Sequence, residues 1–122
     1  MKKILIVDDE QFLLQGLCKA LQSPYTEVIT AETGAEALRV IAPLACDLCF
    51  LDIYLPDIDG IEILKKIKEV SPRTKVIMMT AGVATSSMQE CIEKNAYMFL
   101  TKPFDLLQVR MLAKTILEEK NP

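Results

Sequence analysis

The chain contains no histidine, and that absence narrows its chemistry at once. A zinc site would have to rest on cysteine and carboxylate alone, and a histidine-based acid–base site is excluded. No apolar run is long enough to span a bilayer. Asp8 and Asp9 interrupt the first apolar stretch too early for a signal peptide behind Met1-Lys2-Lys3. A basic excess is also missing, since 17 acidic residues face 14 lysines and arginines. That balance argues against direct binding of nucleic acid, which calls for a basic stripe. The expected setting is cytoplasmic, with no membrane contact.

Four cysteines are present, two of them in the C-x-x-C spacing of Cys46 and Cys49. Cys18 and Cys91 stand alone in helical patterns. If residues 46–49 open a strand, the two-residue period turns Cys46 and Cys49 to opposite faces. All four are therefore expected to be free thiols packed as small apolar groups.

With 122 residues, half of them apolar, the chain has the size and core material of one domain, and residues 1–122 are expected to form it. Short apolar runs alternate with longer amphipathic ones, the pattern of parallel strands joined by crossover helices. The strands are expected at Lys3–Val7, Glu27–Ala31, Asp47–Leu51, Lys75–Met79 and Tyr97–Leu100. The first helix carries Phe12, Leu13, Gly16, Leu17, Ala20 and Leu21 at helical spacing, with Asp8 or Asp9 as its cap, and stops at Ser23-Pro24. The second spans Gly34–Ala42 and is ended by Pro43. The third starts at Ile61 and turns Ile63, Leu64, Ile67 and Val70 inward. The fourth, Ala84–Lys94, is weak in propensity, and Asn95 suits a left-handed position beyond its end. The fifth, Phe104–Glu119, has a stripe of Leu106, Val109, Leu112, Ala113 and Ile116. The expected fold is α/β, a doubly wound, flavodoxin-like (βα)5 domain with a parallel sheet of order 2-1-3-4-5.

Function in such a sheet gathers where the strands end. The first strand runs into Asp8-Asp9, the third into Asp52, the fourth into Thr80 and the fifth toward Lys102. Each residue alone has a structural explanation as a cap, turn, strand or solvent-facing residue. Asp57, Asp59 and Gly60 read as turn and cap residues. Together, the converging set suits one reaction. Clustered carboxylates call for a hard dication such as Mg²⁺ or Mn²⁺. An aspartate can accept a phosphoryl group as an acyl phosphate, while an ammonium neutralises phosphoryl oxygens and a hydroxyl donates to them.

The segments Ile4-Leu5-Ile6-Val7-Asp8-Asp9-Glu10, Leu51-Asp52-Ile53-Tyr54-Leu55-Pro56-Asp57-Ile58-Asp59-Gly60 and Thr101-Lys102-Pro103-Phe104 closely resemble the receiver domains of two-component response regulators, with Thr80-Ala81 after the fourth strand fitting too. The resemblance implies a phosphorylation switch without a turnover substrate. Asp52 would take the phosphoryl group from a sensor histidine kinase or a histidine phosphotransfer protein. Asp8, Asp9, Asp52 and the backbone carbonyl of Tyr54 would hold the metal. Lys102 would pair with the phosphoryl group and precede Pro103 through a cis bond. Thr80 would move toward that group and Phe99 would rotate inward, with the face of the fourth helix, fifth strand and fifth helix reporting the change.

Against the commonest family pattern, Phe99 lacks the hydroxyl of a tyrosine and Asn95 replaces a glycine. Tyr54 and Gly82 sit where side chains screen the phosphoryl group from water. The first helix, with Gln11, Gln15 and Cys18, is where such domains meet their kinases. The chain closes at Glu118-Glu119-Lys120-Asn121-Pro122, which fits a stand-alone receiver acting on a downstream protein partner and equally the first module of a longer regulator with its own effector domain. Homodimerisation through the fourth-to-fifth-helix face is compatible with either. An aspartate-nucleophile phosphatase would need an acid where Tyr54 stands, a flavodoxin-like cofactor binder would need a phosphate loop after the first strand, and a receiver that signals by binding alone would have lost an acid or the lysine.

Overall fold

The computed structural model describes residues 1–82 and 84–119; the tail at 120–122 lies outside the described residues. Five strands alternate with five helices: β1 Lys2–Val7, α1 Gln11–Leu21, β2 Thr26–Ala31, α2 Gly34–Leu44, β3 Leu48–Asp52, α3 Gly60–Val70, β4 Lys75–Thr80, α4 Ser86–Asn95, β5 Met98–Thr101 and α5 Leu106–Glu118. The sheet runs β2-β1-β3-β4-β5 with every neighbouring pair parallel, as the alternation predicted. Among the described residues no helix is long and apolar enough to cross a membrane.

The two-residue period of the strands sorts the core into two layers. Leu5, Val7, Cys49, Leu51, Val76 and Met78 face Ile41, Ile63, Leu64, Ile67 and Ile92 of α2, α3 and α4. Their neighbours Ile4, Ile6, Leu48, Phe50, Ile77 and Met79 face Leu14, Leu17, Leu21, Val109, Ala113 and Ile116 of α1 and α5. At the amino end of the sheet, Glu119 pairs with Lys75 at 2.9 Å and accepts from the Tyr97 hydroxyl at 2.7 Å, which ties the end of α5 to the starts of β4 and β5.

Several boundaries differ from the sequence expectation. Pro43 does not end α2: it sits in the last turn, where it costs the helix only the one N–H that would pair with the Arg39 carbonyl, and Ala45 closes the helix at φ 49°. The left-handed residue expected at Asn95 is not there; Asn95 stays in α4, its side-chain amide donating to the Cys91 carbonyl at 3.0 Å. Helix α4 starts at Ser86 rather than Ala84, capped by Thr85, and α5 starts at Leu106 rather than Phe104, capped by Asp105. β5 begins at Met98, one residue later than expected. Neither Asp8 nor Asp9 is the cap of α1, which begins after Glu10. Phe12 is 91 % exposed and Val70 points outward as well, because the buried arc of α1 is centred on Leu14, Leu17 and Leu21 and α3 has reached the sheet's edge at its last residue. Cys46 and Cys49 do not part to opposite faces. Cys46 lies before β3 begins, so the strand period does not govern it, and both free thiols enter the same core layer. Burial pushes both thiols up in pKa, which keeps them protonated.

Candidate functional site

The strand register places the polar strand ends in one crevice. Val7 pairs with Leu51 and Ala31, Asp52 with Met79, and Thr80 with Thr101. Asp8, Asp52, Thr80 and Lys102 therefore reach the same carboxyl edge, where the solid apolar runs of β1, β3 and β4 stop. Asp8 and Thr80 are wholly buried, and Asp52 is 5 % exposed. These are costly places for polar groups unless each finds a partner.

Lys102 supplies most of that partnership. Its Nζ donates to Asp8 Oδ2 at 2.7 Å and Asp52 Oδ2 at 3.2 Å, and Glu10 Oε2 lies 3.9 Å away. The Lys102 backbone N–H donates to the Thr80 carbonyl at 2.7 Å, and its bond to Pro103 is cis. The outer oxygens of the two aspartates take backbone donors: Asp8 Oδ1 accepts from Glu10 N–H at 2.9 Å, and Asp52 Oδ1 from Tyr54 N–H at 3.2 Å. Asp9 is exposed and completes the group, with one oxygen each from Asp8, Asp9 and Asp52 lying within 4.8 Å of one another.

Burial and the charge of Asp8 raise the carboxyl pKa of Asp52, and Lys102 only partly offsets them. Burial alone would lower the ammonium of Lys102, but its bonds to Asp8 and Asp52 outweigh that and hold it above the usual lysine range. Ionised, three carboxylates against one ammonium leave two negative charges in the crevice. An all-oxygen donor set with a surplus of two charges fits a hard dication of the Mg²⁺ kind.

The other residues singled out surround this centre without all joining it. Thr80 Oγ1 accepts from the Gly82 N–H at 3.1 Å, so its hydroxyl is engaged with the loop after β4. Phe99 is 39 % exposed and lines an open cleft of about 400 Å³ with Gly82, Ala84, Gln89, Ile92 and Glu93. The Tyr54 ring lies beside Gly82 and reaches toward α4, its hydroxyl 4.0 Å from Met88 Sδ.

Two features escaped the sequence reading. Gly60 is buried, and a Cβ there would collide with the Asp52 carbonyl and lie 2.7 Å from Ile53 Cα, so only glycine lets α3 start so close to the end of β3. Asp59 caps α3 through the Ile61 N–H, as a turn-and-cap residue should. Asp57 serves a different helix: its Oδ1 and Oδ2 accept from Gly34 N–H at 2.8 Å and Ala35 N–H at 2.9 Å, at the start of α2. Only the local D-x-D-G pattern was visible in sequence, and it carries no signal for a partner 23 residues back.

Comparison with known proteins places this geometry in context. The response regulator receiver domain family model matches residues 4–114. Sporulation initiation phosphotransferase F of Bacillus subtilis (strain 168) is 35 % identical over 120 residues, covering 98 % of this chain and 97 % of that protein. Regulatory protein AtoC of Escherichia coli (strain K12) is 33 % identical over 118 residues, covering 97 % of this chain but 26 % of that protein. The chain thus spans nearly all of one relative and about a quarter of the other. A CheY-like response regulator receiver domain protein from Methanospirillum hungatei JF-1 superimposes with a TM-score of 0.86 at 30 % identity, covering 97 % of this chain and 95 % of that one.

Proposed function

Because the chain belongs to the response regulator receiver domain family, we propose that its phosphorylation switch is built on Asp52 as the phosphoacceptor, with Lys102, Thr80 and the Asp8–Asp9 pair as its machinery. One observation carries the assignment: a single ammonium, Lys102, lies within hydrogen-bonding distance of both Asp8 and Asp52 at the crevice edge, with Asp9 alongside. Receiver domains of this family act with histidine kinases or phosphotransfer proteins and with effector domains, and they bind Mg²⁺ at an acidic pocket.

In the proposed transfer, an Asp52 carboxylate oxygen attacks the phosphorus of a phosphohistidine. The new O–P bond forms as the N–P bond of the donor breaks, and the donor imidazole leaves with the electron pair. Asp8, Asp9, Asp52 and the Tyr54 carbonyl are the residues that would hold Mg²⁺ or Mn²⁺, which when bound neutralises phosphoryl oxygen charge. Lys102 keeps its contact with Asp8 and turns its remaining donors to the phosphoryl group. The Thr80 hydroxyl then leaves the Gly82 loop for a phosphoryl oxygen, and Phe99 moves from the open cleft toward the space beside β4. Two packings close in energy are thereby rebalanced, and α4, β5 and α5 carry the change outward.

Residues 1–122 act as one cytoplasmic signalling domain without a turnover substrate, met by the kinase along the α1 face of Gln11, Gln15 and Cys18. Output goes to a downstream protein or an attached effector domain, with homodimerisation through the α4–β5–α5 face as one route and without direct contact to nucleic acid. The test is intact mass after incubation with acetyl phosphate and Mg²⁺, for this protein and Asp52→Asn. One phosphoryl adduct that requires Mg²⁺ and is absent from the variant is the expected result. No adduct in either folded protein would overturn it in favour of a receiver that signals by binding alone.

A further inference from the structure

The segment from Ile53 to Asp59 joins β3 to α3, and it forms one wall of an open cleft of about 360 Å³ whose other wall includes Asp9. Its two ends are fixed close to Asp52. Ile53 N–H donates to the Met79 carbonyl at 3.0 Å, Gly60 N–H donates to the Ile53 carbonyl at 2.7 Å, and Tyr54 bridges Asp59 in antiparallel fashion. Its apex is held differently. Asp57 is exposed, yet both its oxygens are taken by the first two N–H groups of α2, and those bonds hold its carboxyl below the usual aspartate range. The cap of that helix is Thr33, which already serves the Glu36 N–H at 3.2 Å. Asp57 is thus an added clasp between the loop and a helix start that has its own cap, and Ile58 packs in beside it against Gly34.

We infer that Asp57 is a positioning residue for the metal face of the crevice: by clasping the loop apex to α2 it keeps Tyr54, and so its backbone carbonyl, in the cleft it lines with Asp9, where a divalent cation would be held. The inference rests on the switch reading above and adds a residue to it. An exposed carboxylate at a helix start contributes little by charge alone where water screens it. Two fixed bonds nevertheless limit how far the loop can drift from Asp9. A hexacoordinate ion demanding near-ideal geometry is sensitive to that drift, because residues that orient ligands set affinity nearly as strongly as the ligands do.

The experiment is a Mg²⁺ titration followed by the backbone amide shifts of Asp8, Asp9 and Glu10, on the folded wild type, Asp57→Ala, Asp57→Asn and Thr33→Ala. Asp57→Ala is expected to raise the Mg²⁺ Kd about tenfold, with Asp57→Asn between it and the wild type because one acceptor oxygen remains. Thr33→Ala removes a cap from the same helix without touching the loop, so its Kd should stay at the wild-type value while its Tm falls. Phosphorylation of Asp57→Ala by acetyl phosphate should recover to the wild-type rate at saturating Mg²⁺, since the reacting groups are intact. An unchanged Kd in Asp57→Ala, or equal shifts in Asp57→Ala and Thr33→Ala, overturns the positioning role and leaves the switch standing. A wild type that neither binds Mg²⁺ nor takes a phosphoryl group overturns both.

Discussion

The two sides of the sheet's central strands are built to different standards. Every residue of β3 is buried, and α3 buries four side chains, Ile61, Ile63, Leu64 and Ile67, on one side of the sheet. On the far side of β4, three of the four residues of β5 are exposed and α4 buries only Ile92. The first region carries Asp52, the proposed phosphoacceptor, whose role would require its oxygen atoms to be held in place. The second carries Phe99 and the proposed output face, where two packings of similar energy are needed. Thin packing is what makes the second arrangement attainable, because few apolar contacts must be broken to leave the first.

Substitutions that probe this contrast should separate cleanly. Phe50 is fully buried between the strands and the α1–α5 layer, so Phe50→Ala is expected to lower stability by about 3–5 kcal/mol in urea unfolding. A loss below about 1 kcal/mol would show that the β3 region is no better packed than an ordinary surface. Lys102→Ala strips the Lys102 ammonium from Asp8 and Asp52, and phosphorylation by acetyl phosphate should slow by about a hundredfold, read from the rate of adduct formation at saturating Mg²⁺. A rate within a few-fold of wild type would mean that the lysine only balances charge in the resting crevice. Phe99→Ala, at an exposed site, should change stability by less than about 1 kcal/mol. Hydrogen exchange in α4 and β5 should nevertheless cease to respond to phosphorylation in that variant. Slow exchange of these segments in the wild type, matching β1 and β3, would break the comparison itself.

The smallest expected effect concerns pH. Lys75 and then Tyr97 hold the Glu119 carboxyl below the usual glutamate range. The unfolded chain therefore binds more protons than the native state in that window. The stabilisation from Glu119 is present above the ordinary glutamate pKa and is lost as pH falls through the lowered native value. Protection of the amides at the starts of β4 and β5, taken relative to intrinsic exchange at each pH, should fall over that window, and Glu119→Gln should remove that part of the pH dependence.

How much of this was readable beforehand follows from the range of each interaction. The strands were legible because burial on both faces requires solid apolar runs, and KILIV, LCFL and KVIMM have few other uses. The helix ends were less so: Asn95 and Pro43 are strong local signals, yet packing kept both inside helices. At the site, Asp8, Asp9, Asp52, Thr80 and Lys102 could be picked out because each ends a strand or lies just beyond one, and parallel strands must deliver their ends to one edge. The Asp57 clasp, the close approach at Gly60 and the shared layer of Cys46 and Cys49 could not.

By itself, the sequence determined the alternation of elements, the two-layer core and the residue types brought to the carboxyl edge, because hydrophobic period and strand direction are local properties that survive any detail of packing. Only the tertiary structure decided which carboxylate oxygens share Lys102, which helix start Asp57 serves, that Thr80 rests on Gly82, and that Phe99 faces outward. Those outcomes depend on distances between segments far apart in the chain, and a hydrogen bond is won or lost over a few tenths of an ångström that no local pattern encodes.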